Sequence, residues 1–117
     1  MASRALPCDL EAEMSVLGVA FLSSEALEKI NDEVTEDMFY NEKNRTIFNA
    51  IISLYKEGTA VDLTTIKAEL DKKKAFNEIG GASYLTEVID SVVTSANLEY
   101  YIKILKDAAI RRNVINT

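Results

Sequence analysis

Few side chains in this sequence could carry covalent or acid–base chemistry. There is no histidine and a single cysteine, Cys8. The commonest general base and transition-metal ligand is therefore missing. One thiol permits neither an intrachain disulfide nor a cysteine zinc cluster. Carboxylates remain. Glu11 and Glu13 could pair near the start of a helix, but residues two apart do not share a helix face. A carboxylate enzyme using Mg²⁺ would need acids converging from several helices, and no D-x-D-x-D-G loop is present.

Phosphate chemistry is equally thin. Gly80-Gly81 precedes a helical pattern and could in principle present N–H groups to an anion. No strand pattern leads into the pair and no G-x-x-x-x-G-K-S/T follows it. A turn with positive φ, above all at Gly81, is the simpler expectation. The basic clusters are Lys72-Lys73-Lys74 and Arg111-Arg112, within a chain of net charge −6 and pI about 4.7. Such a balance disfavours phosphate-backbone binding and suits a basic or neutral protein partner. The lysines are expected to complement a helix C-terminus.

The elements that would position these groups read as helices. The 117 residues include four glycines and one proline, with 48% apolar and 27% charged residues, which fits one all-α domain. Residues 1–8 are expected to form a loose arm, with Pro7 placed just before the first helix. Asp9 caps a first helix with Leu10, Met14, Leu17 and Phe21 at helical spacing, Val16 and Ala20 beside them. Gly18 within it predicts close approach of a neighbouring helix. Ser23 or Ser24 caps a second helix through Ile30, and Thr35 a short turn bearing Met38, Phe39 and Tyr40. Phe39-Tyr40 is expected to plug the core. The stretch from Asn41 to Lys56 has the clearest periodicity, with Ile47, Phe48, Ile51, Ile52, Leu54 and Tyr55 on one side, and predicts the central helix, ended by Gly58. Asp62 caps a helix through Lys74, and Tyr84, Leu85, Val88, Ile89 and Val92 form one face of the next.

The last helix, capped by Thr94 or Ser95, runs to the end. Its apolar arc comprises Leu98, Tyr101, Ile102, Ile104, Leu105, Ala108, Ala109 and Ile115, with Tyr100, Ile110 and Val114 outside it. Burial on two sides follows. The absence of Gly or Pro in Arg-Arg-Asn-Val-Ile-Asn-Thr suggests a piece of a longer protein. The start, MASRALPCDL, lacks the apolar core of a signal peptide, and no run is long enough to span a membrane, so a cytoplasmic protein is expected.

The order of these motifs carries a resemblance. Leu10-Glu11-Ala12-Glu13 with Val16-Leu17-Gly18 is followed by Phe39-Tyr40, Arg45 with Ile47-Phe48, and Val61-Asp62-Leu63 with Thr65. Ile79-Gly80-Gly81 with Tyr84-Leu85, Ala96-Asn97 with Tyr100-Tyr101, and Arg111-Arg112 complete the series. Over residues 6–116 the sequence resembles the N-terminal domain of the bacterial replicative DNA helicase of the DnaB type. One departure is Asn44, where the family pattern usually has a histidine; either side chain can hydrogen-bond locally.

The resemblance implies a compact all-α bundle of about six helices, with a globular part at residues 9–95 and a long C-terminal helix, residues 96–117, that forms the first arm of a dimerisation hairpin. It implies a non-catalytic collar in a homohexamer built as a trimer of dimers. ATP and Mg would belong to a motor domain outside this chain, the engine of a 5'-3' DNA helicase. Partners would be further copies of the chain, the C-terminal helicase-binding domain of primase, and a helicase loader, with no direct nucleic-acid contact and no membrane. Tyr84, Tyr100 and Tyr101 are the candidate partner-binding residues. Ile102, Leu105, Ala109, Ile110 and Val114 are the candidate oligomerisation residues. The main alternative is a small helical nucleic-acid-binding domain.

Overall fold

The computed structural model describes residues 9–116, with side chains through residue 114. The expected arm at 1–8 and the inward side chain of Ile115 lie outside the described residues. Six α-helices occur among them: α1 (Leu10–Leu22), α2 (Ser24–Glu33), α3 (Glu42–Lys56), α4 (Leu63–Lys72), α5 (Gly81–Asp90) and α6 (Leu98–Asn116). A single 3₁₀ turn, Glu36–Met38, lies between α2 and α3. The fold is all-α, as expected.

Local chemistry sets most boundaries. Asp9 Oδ1 accepts from the Ala12 N–H at 2.9 Å, Ser23 Oγ from Ala26 at 3.1 Å, and Asn41 Oδ1 from Asn44 at 3.2 Å. Asp62 and Thr65 cap α4 reciprocally. Each such cap contributes about 1 kcal/mol. The last helix differs from expectation. It begins at Leu98, because the Thr94 hydroxyl accepts from the Ala96 N–H at 3.2 Å and so holds a turn ahead of the helix.

The ends of α3 and α4 share one hydrogen-bond pattern. After α3, Thr59 N–H reaches the Leu54 carbonyl and Gly58 N–H the Tyr55 carbonyl. After α4, Ala75 N–H reaches Leu70 and Lys74 N–H reaches Asp71. This closure requires a left-handed residue. Gly58 supplies it at φ 75°, and Lys74 at φ 58°. The turn before α5 repeats the pattern with Gly80 at φ 101°, followed by Gly81 at φ 66°.

The centre of the bundle is α1, not α3. It packs against α2, α3, α5 and α6, whereas α3 packs on α1, α4 and the 3₁₀ turn. Every residue from Ser15 to Ala20 is buried, and so are Ala12 and Glu13. A helix buried on all sides has no clean polar face, so its periodicity is weak. Small residues let its neighbours close in. A Cβ at Gly18 would stand 2.6 Å from the Val88 carbonyl oxygen and 2.9 Å from Ser91 Oγ, which fixes α5 directly on α1. Ser91 Oγ donates to the Val88 carbonyl at 2.7 Å. On the other side, α3 buries Ile47, Phe48, Ile51 and Leu54.

Half of the Phe39-Tyr40 expectation is corrected. Phe39 is fully buried, its ring 4.9 Å from that of Phe48, but Tyr40 is exposed. Adjacent residues in extended backbone point to opposite sides, so one fills the core and the other faces out. The first half of α6 belongs to the same core: Leu98, Ile102 and Leu105 join the cluster built on α1, with no break after residue 95.

Candidate partner-binding site

Tyr84 lies on the first turns of α5, half-buried, over the N-terminal ends of α1 and α3. Its hydroxyl donates to Asn44 Oδ1. Asn44 Nδ2 in turn donates to Glu13 Oε1 at 2.9 Å. Glu13 also accepts from the backbone N–H of Tyr40 at 2.7 Å and of Asn41 at 3.3 Å. Glu13 is 1% exposed and Asn44 is wholly buried. A carboxylate can be held in such surroundings only because donors surround it. Asn44 therefore bonds at long range through its side chain, beyond the local bonding expected of it.

The neighbours of this network are also placed. Arg45 Nη2 donates to the Phe39 carbonyl at 3.1 Å, tying α3 to the strand-like link before it. Lys43 Nζ lies 5.4 Å from the Tyr84 ring centroid, within cation–π range. Burial pushes the Tyr84 phenol above the ordinary tyrosine value, and the Glu87 and Glu13 carboxylates add to this against the Asn44 hydrogen bond. The hydroxyl thus stays protonated and remains a donor at neutral pH.

The three tyrosines do not form one surface. α5 and α6 each pack on α1 and do not form a hairpin with one another. Tyr100 is 64% exposed and Tyr101 half-buried, their rings 6.2 Å apart. They line a cleft of about 360 Å³ with Asp9, Ser15, Ser91 and Ile104, and Tyr84 is not part of it.

The five aliphatic candidates on α6 divide by face. Ile102, Leu105 and Ala109 are buried within the chain itself, so a partner that leaves the core intact does not reach them. Ile110 and Val114 are 61% and 71% exposed and lie one helical turn apart.

The basic clusters are largely committed. Arg112 is buried, donates to the Asp37 carbonyl at 3.0 Å, and sits 5.6 Å from the Tyr40 ring centroid. Lys72 and Lys73 pair with the buried Glu69 at 3.4 and 3.6 Å. Burial raises the Glu69 carboxyl, but the Ser53 hydroxyl and these lysines outweigh it and hold it below its usual range. The N–H groups of Gly80 and Gly81 are bonded to the Asn77 and Phe76 carbonyls, so neither is available to cradle a phosphate. Among the described residues no three acidic, cysteine or histidine side chains gather to hold a metal ion. No helix among them is long and apolar enough to cross a membrane.

Sequence reading missed Glu13, Asn44 and Arg112 as organising groups. Each is a polar residue on a helix whose partner lies far along the chain, and only their placement beside apolar residues hinted at burial.

Comparison with known proteins agrees with this architecture. Residues 5–107 match the family model for the DnaB-like helicase N terminal domain. The replicative DNA helicase DnaC of Bacillus subtilis is 41% identical over 111 residues, which cover 95% of this chain and 24% of that protein. The replicative DNA helicase DnaB of Geobacillus stearothermophilus is 40% identical, with the same coverage. The chain thus spans about a quarter of the length of these relatives. The crystal structure of the N-terminal domain of DnaB helicase from Mycobacterium tuberculosis superposes with a TM-score of 0.91 at 37% identity, over 96% of this chain and 78% of that one. The matches in sequence and in fold cover almost the whole of the described structure, and on their strength the chain belongs to the family of DnaB-like helicase N-terminal domains.

Proposed function

We propose that this chain is a collar module of a replicative helicase, an assembly and docking domain with no catalysis of its own. The observation that carries the reading is the outer face of α6. Ile110 and Val114 stand exposed on a helix whose other face is already buried, which supports pairing with a further helical element of another copy. A trimer of such dimers would form the hexameric collar. ATP hydrolysis, with its Mg, would reside in a motor domain beyond these residues. The groups present here do not fit that chemistry, since the glycine-pair N–H groups are taken and no metal cluster is available among the described residues.

Primase is the proposed partner of the Tyr84 face, through its C-terminal helicase-binding domain. Tyr84 is half-buried and its hydroxyl is held by Asn44, which favours an anchor over a loose contact. A helicase loader is a further proposed partner, without an assigned surface. Direct nucleic-acid binding is disfavoured by the net charge of −6 and the commitment of Arg112, Lys72 and Lys73.

Two measurements test this. Calorimetric titration with the primase C-terminal domain is expected to give saturable binding that Tyr84→Ala weakens about tenfold or more. Titration without heat, or full affinity in the folded variant, removes primase or Tyr84 from the proposal. Sedimentation of the 117-residue chain is expected to show weak, concentration-dependent association that Ile110→Glu abolishes. A tight dimer insensitive to Ile110→Glu places the pairing surface elsewhere.

A further inference from the structure

A third face of the molecule is concave, lined by apolar and small polar side chains, and charged at one end. Two clefts, of about 420 and 290 Å³, share the side chain of Phe21. The larger runs between the α1–α2 turn and the α3–α4 loop, edged by Leu22 and Thr59, with no charged side chain in its lining. The smaller lies between α4 and α5, walled by Leu63 and Ile89 and bearing Asp62 and Asp90. Leu22 and Leu63 are 47% and 43% exposed, so the groove carries apolar area that solvent reaches. Both aspartates are exposed, and no ion pair to either occurs among the described residues. Asp62 uses one oxygen to cap α4.

We propose that this groove receives an amphipathic helix from a partner protein, with aliphatic side chains on Phe21 and Leu63 and Lys or Arg residues at Asp62 and Asp90. Apolar anchors at helical spacing suit a groove of this kind. The carboxylates at one end set the polarity of the bound helix and select a basic terminus. A second copy of the chain is disfavoured as occupant, because this end of the groove calls for basic side chains and Lys72, Lys73 and Arg112 are already engaged within their own chain. Neither Tyr84 nor any residue of α6 lines the groove, so the proposal stands apart from the collar reading.

The test uses the 117-residue chain and two short helix-forming peptides with leucines at helical spacing, one ending in lysines and the other in glutamates. Binding is followed by amide chemical shifts and by calorimetry at low and high salt. The lysine peptide is expected to shift the amides of Phe21, Leu63 and Ile89, and to weaken as salt rises. Asp62→Asn with Asp90→Asn is expected to weaken it about tenfold, since Asn preserves the cap and removes only charge. Asp90→Asn alone, on an exposed helix end, keeps the test decisive if the double variant melts early. Absence of binding, equal affinity for both peptides, shifts centred on Ile110 and Val114, or indifference to the Asn variants each overturns the proposal.

Discussion

Around Tyr84 the inner polar atoms are paired: Glu13 takes three donors, Asn44 gives and takes one bond through its side chain, and the phenol gives one. Along the outer face of α6, Ile110 and Val114 meet solvent. Both regions are candidates for contact with other proteins, yet they are built differently. The first is a rigid surface whose residues also hold the domain together. The second adds nothing to the core and is free to serve another molecule. A residue with two duties is costly to alter, whereas a residue with one outward duty can change without unfolding the domain.

That contrast can be broken most sharply at Asn44. Asn44→Leu is expected to lower stability by about 1–3 kcal/mol, since it removes one of the three donors to Glu13 and the acceptor of the Tyr84 hydroxyl, and each such hydrogen bond contributes roughly 0.5–1.5 kcal/mol. Urea denaturation measures it, and an unchanged midpoint would mean that the network does not hold the fold. Gly18→Ala tests whether packing rather than polarity fixes α5 on α1. Its Cβ would meet the Val88 carbonyl at 2.6 Å, and overpacking of this sort costs about 1–3 kcal/mol. An equal or higher melting temperature would show that α5 shifts freely.

Tyr84→Phe sharpens the comparison by removing one hydrogen bond and no ring. A loss of about 0.5–1.5 kcal/mol is expected from the missing bond. A larger loss would mean that the hydroxyl organises more than Asn44. At the small end, Ile110→Ser with Val114→Ser is expected to change stability by no more than about 0.5 kcal/mol, as for exposed sites generally. Thermal melting at low concentration checks this, and a marked loss would place these side chains in the fold after all.

Legibility in the sequence followed distance along the chain. The caps at Asp9, Ser23 and Asp62 bond to residues three positions away, so the residue types alone pointed to them, with Ser24 as the alternative to Ser23. The inward arc of α6 was equally readable, and Leu98, Ile102, Leu105, Ala108 and Ala109 are all buried. The centre of the bundle was not. α3 shows the clearest apolar periodicity along the chain, while α1 is enclosed by four other helices and reads weakly. Glu13 looked like a first-turn acid at a helix start. Its burial depends on Tyr40, Asn41 and Asn44, which folding alone brings to it. The groove over Phe21 was invisible for the same reason, being assembled from α1, α4, α5 and the α3–α4 loop.

The position of α1 also has a kinetic consequence. Four helices rest on it, so its amide protons can meet solvent only when most of the bundle has opened. α4 is held by α3 and, more lightly, by α5, without leaning on α1. It can peel away and return while the rest stays closed. Deuterium should therefore enter α4 on a fast clock and α1 on the slow clock of global unfolding. The end of α4 sets the pace of the fast one: Lys74 holds a left-handed backbone that glycine takes more easily. A Lys74→Gly chain should slow exchange in α4 and leave the rate in α1 nearly where it was.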